Sequence, residues 1–100
     1  MGFELHQDVE RVSAEIGYWL GQPYWGRGIM SAAVRGATVY AMQKFALTRI
    51  YALPFATNAA SARVLEKAGY TLEGRLRRSG IKEDVVMDQL MYAITDQDLT

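Results

Sequence analysis

The sequence contains no cysteine and a single histidine, His6. Without thiols there is no disulfide scaffold, no thiolate-ligated zinc and no cysteine nucleophile, and one imidazole cannot build a histidine cluster within one chain. No metal is expected. Net charge is lacking too, because 11 Lys and Arg balance 11 Asp and Glu. No global field therefore draws the molecule to nucleic acid or an anionic membrane, and any anion site has to be local. No stretch approaches the ~18 apolar residues of a membrane span. The start, Met1-Gly2-Phe3-Glu4-Leu5-His6, lacks a basic region ahead of an apolar run and lacks the Ser or Thr that myristoylation needs at position 6. A cytoplasmic protein is expected, with neither nucleic acid nor membrane as partner. Only Pro23 and Pro54 interrupt the chain, and no repeat or low-complexity tract is present. Residues 1–100 read as a single domain.

What is present is the material of a small core: 50% hydrophobic residues in 100, with 11% aromatic. A chain of this size buries roughly 60–70% of its unfolded surface, so a core forms with a thin stability margin. Ala14, Ile16, Tyr18 and Leu20 alternate with Glu15, Gly17 and Trp19, the period-2 signature of a strand that ends at Gly21-Gln22-Pro23. Phe3 to Val12 is a weaker strand paired with it. Met30, Ala33, Val34, Ala37, Ala41 and Phe45 recur at helical spacing and predict a helix over Gly28–Phe45. Arg49 to Phe55 is short and almost wholly apolar, as a strand covered on both faces would be. Pairing should lapse near Pro54, which has no N–H.

Asn58 is a good N-cap and Gly69 a good C′ residue, framing a helix over Ala59–Ala68 with Val64, Leu65 and Ala68 on one face. Tyr70–Arg78 and Asp84–Ile94 predict an antiparallel hairpin, with Ser79-Gly80 and Lys82-Glu83-Asp84 in the connection. The order is ββαβαββ, an α/β (α+β) chain whose central strand-helix-strand unit implies a parallel pair within a mixed sheet. Met30, Met42, Met87 and Met91 are spaced as core filler. Arg75, Arg77, Arg78 and Lys82 read as a solvated strand face balanced by Glu73, Glu83 and Asp84.

Two stretches carry chemical information. In Tyr24-Trp25-Gly26-Arg27-Gly28-Ile29-Met30, glycines allow close backbone approach just where a helix begins. The free N–H groups and the dipole of a first helical turn suit a phosphate, to which Arg27 adds a cation. An ordinary tight turn would use the same glycines, and the spacing alone does not choose. In Asn58-Ala59-Ala60-Ser61, Asn58 caps a helix and Ser61 is a polar residue in its first turn.

Together these stretches resemble the acyl-CoA-binding half of the GNAT acyltransferase superfamily, in the branch similar to ribosomal-protein N-terminal acetyltransferases. The resemblance runs from about Ala14 to Ile94. In that family Gln or Arg, two residues, Gly, one residue, and Gly or Ala follow the fourth strand and hold the CoA pyrophosphate through backbone N–H groups. Here the pattern falls on Trp25-Gly26-Arg27-Gly28-Ile29-Met30, with Trp25 and Met30 departing from it. Ala14-Glu15-Ile16-Gly17-Tyr18-Trp19-Leu20 and Asn58 through Tyr70 are similar to the branch's usual wording.

The resemblance implies a partial GNAT-like mixed sheet with two helices and acetyl-CoA as cosubstrate. Its pantetheine arm would enter a gap between splayed strands, along Trp19 and Leu20. A backbone N–H near Leu20 would polarise the thioester carbonyl. Asn58 matches the residue that contacts the pantetheine amide, and Ser61 lies where it approaches the sulfur. The family's usual Tyr acid, seven residues after that Asn, is replaced by Leu65. Ser61 is therefore the candidate acid. Glu15 is the candidate base or water-orienting residue, with an exposed surface glutamate as the alternative.

The implied reaction is an N-acetyl transfer by direct attack of an amine, from a protein N-terminus or a small molecule. The rival is a non-catalytic acyl-CoA-binding or interaction module. The family's part of the fold before the segment resembling residue 14 is not expected within residues 1–100, so the resemblance implies either a single truncated GNAT-like domain or a second chain that provides the cover, with a homodimer through an open sheet edge or face as the expected form.

Overall fold

The computed structural model describes residues 2–5, 13–17 and 27–99. Their elements follow the expected order: β1 (Gly2–Leu5), β2 (Ser13–Gly17), α1 (Arg27–Phe45), β3 (Arg49–Ala52), α2 (Ala59–Lys67), β4 (Thr71–Lys82), β5 (Val85–Thr95) and a closing 3-10 turn, Asp96–Leu99. The strands form one sheet in the order β1-β2-β3-β5-β4. β2 and β3 are parallel, as the strand-helix-strand unit requires, and the other neighbours are antiparallel.

Both helices lie on one face of this sheet. Ile50 of β3 stands opposite Ile94 of β5, and Ala52 opposite Tyr92. All four are buried, in one cluster with Ile16, with Met30, Val34, Ala41 and Met42 of α1, and with Val64 and Leu65 of α2. The alternate residues of β3, Arg49 and Tyr51, are only half-buried. The expectation that β3 is covered on both faces is therefore corrected: successive side chains point oppositely, and only the Ile50 row meets helices. On the other side Arg49 pairs with Glu73 at 2.7 Å and lies over the Tyr51 ring.

The buried arc of α1 also differs from the predicted stripe. Ala33 and Phe45 are exposed, while Ser31, Thr38 and Met42 are buried. A helix so rich in Ala and Gly can turn several faces inward, and the arc that wins runs through Met30, Val34, Thr38 and Ala41 at three- and four-residue steps. Burial of Thr38 is tolerated because its Oγ1 lies 2.7 Å from the Tyr70 hydroxyl.

The two helices end alike. After α2, Gly69 has φ of 102°, and Tyr70 N–H donates to Leu65 O at 3.0 Å. After α1, Ala46 has φ of 52°, and Leu47 N–H donates to Met42 O at 3.1 Å. Both are left-handed stops with a buried apolar residue just beyond.

The hairpin is longer than predicted. β4 continues through Ser79 and Gly80 to Lys82, and Glu83-Asp84 alone make the turn. Both turn residues have positive φ, 52° and 64°, which matches the right-handed twist of the flanking strands. The ladder is interrupted between Leu72 and Gly74 and again between Leu76 and Gly80. Arg78, in the second interruption, has φ of 53°. Met30 and Met42 fill the core as expected, but Met87 and Met91 are half-buried on the sheet. Arg75 is paired with Asp88 at 2.7 Å.

Candidate active site

β2 and β3 part company early. Their ladder joins Ser13 to Arg49, Ala14 to Ile50 and Glu15 to Tyr51. Beyond that no pair joins them among the described residues, although β2 continues to Gly17 and β3 to Ala52. A cleft of about 230 Å³ opens at this point, lined by Glu15 and Ile16 on one side, Ala52 to Phe55 on the other, and Asn58 and Ser61 at the start of α2. Pro54 lies in the far wall, two residues after β3 ends, where it has no N–H to offer a neighbouring strand.

The second wall is fixed from the side away from β2. Leu90 N–H donates to Pro54 O and Ala56 N–H to Asp88 O, each at 2.9 Å. Asn58 then starts α2: its N–H donates to Phe55 O and its Oδ1 accepts from Ser61 N–H at 3.1 Å. This cap occupies the oxygen of the side chain and leaves the Nδ2 hydrogens to donate elsewhere. Ser61 is buried, with 4% of its surface exposed, and Glu15 is half-buried. Three of the residues singled out from the sequence, Glu15, Asn58 and Ser61, thus border one cleft.

The glycine-rich candidates are placed differently. Trp19, Leu20, Trp25 and Gly26 lie outside the described residues. Arg27 to Met30 form the first turn of α1, which contains no acidic residue. Gly28 and Ile29 are exposed, and Met30 is buried in the core, so its bulk turns away from the helix mouth. The first turn therefore presents N–H groups that have no partner within the helix and the positive end of the helix dipole, with no acidic residue in the turn itself. A phosphate fits there through the backbone, and an extended amide-bearing arm fits a cleft flanked by strand backbone and the Asn58 amide.

Residues 1–71 match the acetyltransferase (GNAT) domain family. The chain belongs to this family. It is 41% identical to the probable N-acetyltransferase YjcK of Bacillus subtilis, over 86% of this chain and 48% of that protein. It is 34% identical to the putative ribosomal N-acetyltransferase YdaF of the same organism, over 87% of this chain and 50% of that protein. Among solved structures, the microcin C7 self-immunity acetyltransferase MccE in complex with acetyl-CoA and AMP superposes with a TM-score of 0.77. It is 30% identical, covering 88% of this chain and 49% of that one. The chain spans about half the length of the curated relatives it matches.

Within the GNAT frame, the position where the family usually carries its Tyr acid is Leu65, which is wholly buried in the core and does not border the cleft. Sequence reasoning missed the far wall, Leu53 and Phe55, and the residue behind it, Gln89, whose Nε2 donates to Leu53 O at 3.0 Å. Pro54 was the one local signal there, since a contact across 36 residues leaves no periodicity to read. Among the described residues no helix is long and apolar enough to cross a membrane.

Proposed function

We propose that this chain is the acyl-CoA-binding part of an N-acetyltransferase that moves an acetyl group from acetyl-CoA to an amine by direct attack in a ternary complex. The observation that carries the reading is the early parting of β2 and β3, which opens a cleft bordered by Glu15, Asn58 and Ser61. Acetyl-CoA, when bound, supplies an acetyl thioester. The first turn of α1, with Arg27, Gly28, Ile29 and Met30, holds its phosphates through backbone N–H groups. By the family resemblance Trp19, Leu20, Trp25 and Gly26 are further contacts of the cosubstrate, and the Asn58 Nδ2 donates to the arm.

In the transfer, the amine nitrogen forms a bond to the acetyl carbon and the carbon–sulfur bond breaks. The Glu15 carboxylate accepts the proton that the amine must lose, directly or through water, and the Ser61 hydroxyl donates to the departing sulfur. The acceptor is a protein N-terminus, in keeping with the ribosomal name of one relative; a small amine is the alternative. The buried Leu65 favours a second reading, an acyl-CoA-binding module without turnover.

Calorimetric titration with acetyl-CoA, with ATP as control, tests the first reading. One saturable site per chain that ATP does not share is expected, weakened in Asn58→Ala. In a turnover assay with N-terminal peptides, Glu15→Gln should keep the affinity and lose about 10²-fold or more of the rate. Binding with no turnover in any acceptor screen moves the assignment to the second reading, and absence of binding removes both. The same proposal has the protein working in the cytoplasm as a homodimer joined through the open sheet face that bears Tyr51 and Met91. A monomer by light scattering, or recovery from an exported fraction, contradicts the respective part.

A further inference from the structure

Ala52 to Phe55 form the far wall of the cleft, and Leu53, Pro54 and Ala56 are hydrogen-bonded to Asp88, Gln89 and Leu90 of the β4–β5 hairpin. Gln89 sits at the centre of this attachment. Its backbone bridges Phe55, its Nε2 donates to Leu53 O at 3.0 Å, and its Oε1 lies 3.1 Å from the Ser79 hydroxyl. Behind Phe55 the hairpin carries Gly80, where a Cβ would come within 2.7 Å of the ring atom Cε1 and 3.1 Å of the Gln89 carboxamide carbon. Gly80 stands at the end of the ladder interruption that follows Leu76. The interruption, the bare Gly80 and the Gln89 carboxamide therefore meet at one place, and that place is the outer surface of the cleft wall.

We propose that Gln89 is a positioning residue for the cleft. It ties the Leu53 carbonyl to β5, while the bare Gly80 gives the Phe55 ring the room to approach the hairpin. The inference rests on reading the cleft as the acyl-CoA site. Gln89 does not border the cleft itself. It acts through Leu53 and Phe55, which do.

Three variants of the full chain test this. Gln89→Leu keeps the bulk and removes both side-chain hydrogen bonds, Gln89→Glu keeps the acceptor for Ser79 and loses the donor to Leu53, and Gly80→Ala pushes on Phe55 from behind. Two quantities are read: backbone amide exchange at Ala56 and Asn58 compared with Tyr92 and Ile94, and calorimetric affinity for acetyl-CoA. Gln89→Leu and Gln89→Glu should each speed exchange at Ala56 and Asn58 and weaken acetyl-CoA about fivefold, the ratio one lost hydrogen bond gives. Exchange at Tyr92 and Ile94 should stay unchanged. Gly80→Ala should show the same local pattern with Gln89 intact.

Exchange that rises equally across the sheet, or that does not change at Ala56 and Asn58, overturns the proposal. So does unchanged affinity beside altered local exchange. If the unmodified chain binds no acetyl-CoA, the acyl-CoA reading fails on its own. The exchange comparison then still decides whether Gln89 places the wall.

Discussion

Ile50 and Tyr51 are neighbours on β3 and live in different surroundings. Ile50 has no exposed surface and touches the cluster that both helices build. Tyr51 lies on the face the helices leave alone, with the Arg49 guanidinium over its ring. The covered face is buried and apolar, and the hydroxyl of the buried Thr38 is matched to that of Tyr70. The open face is held by an ion pair and a half-buried methionine whose sulfur lies 3.6 Å from Arg49. Stability should therefore reside on the first face and adaptability on the second.

The hardest blow to that contrast is Ile50→Ala. It leaves a cavity between sheet and helices and should cost about 2–5 kcal/mol, read as a shift in denaturant midpoint at constant slope. A cost under about 1 kcal/mol would mean the helices collapse onto the sheet and the covered face is not tightly packed.

Thr38→Val probes the same side at a polar point. Loss of the hydroxyl facing Tyr70 should cost about 1–2 kcal/mol in the same measurement, since a buried hydrogen-bond partner is removed without loss of bulk.

The smallest effect is expected on the open face. The hydrogen bond from Arg49 holds the Glu73 carboxyl below its ordinary range, opposed by desolvation and aided by Coulomb attraction to the same guanidinium. Because the folded value is depressed, the stabilisation is present above the unfolded carboxylate range and is lost as pH falls through the folded value. Both side chains are about a third exposed, so Glu73→Gln should cost less than about 1 kcal/mol at neutral pH. The difference from the unsubstituted protein should shrink toward zero as pH falls through the folded value, followed by denaturation across the acid range.

How much of this was legible in the sequence follows the range of each interaction. α2 was readable at both ends because Asn58 and Gly69 carry their own local chemistry. The end of α1 fell in the predicted place, yet Ala46 performs there the left-handed turn that glycine signals elsewhere. The hairpin turn was blurred because Glu83 and Asp84 adopt positive φ without a glycine beside them, while the genuine glycine, Gly80, serves contact with Phe55 inside the strand. On β3 an apolar run could not tell two covered faces from one, since Tyr51 packs or solvates equally well. At the cleft, Glu15, Asn58 and Ser61 stood out by type and position. Gln89 did not, because its importance comes from reaching the Leu53 carbonyl across the fold.

β4 is the outermost strand on its side of the sheet, and its ladder with β5 comes in runs of no more than three pairs, broken before Gly74 and before Gly80. A foreign strand trying to extend the sheet there would lose register at each break and meet Arg75, Arg77, Arg78 and Lys82 along the way. Interrupted, basic edges are how sheets resist growing into fibrils. The irregularity that seats Phe55 against the hairpin thus also guards the molecule against self-templated aggregation.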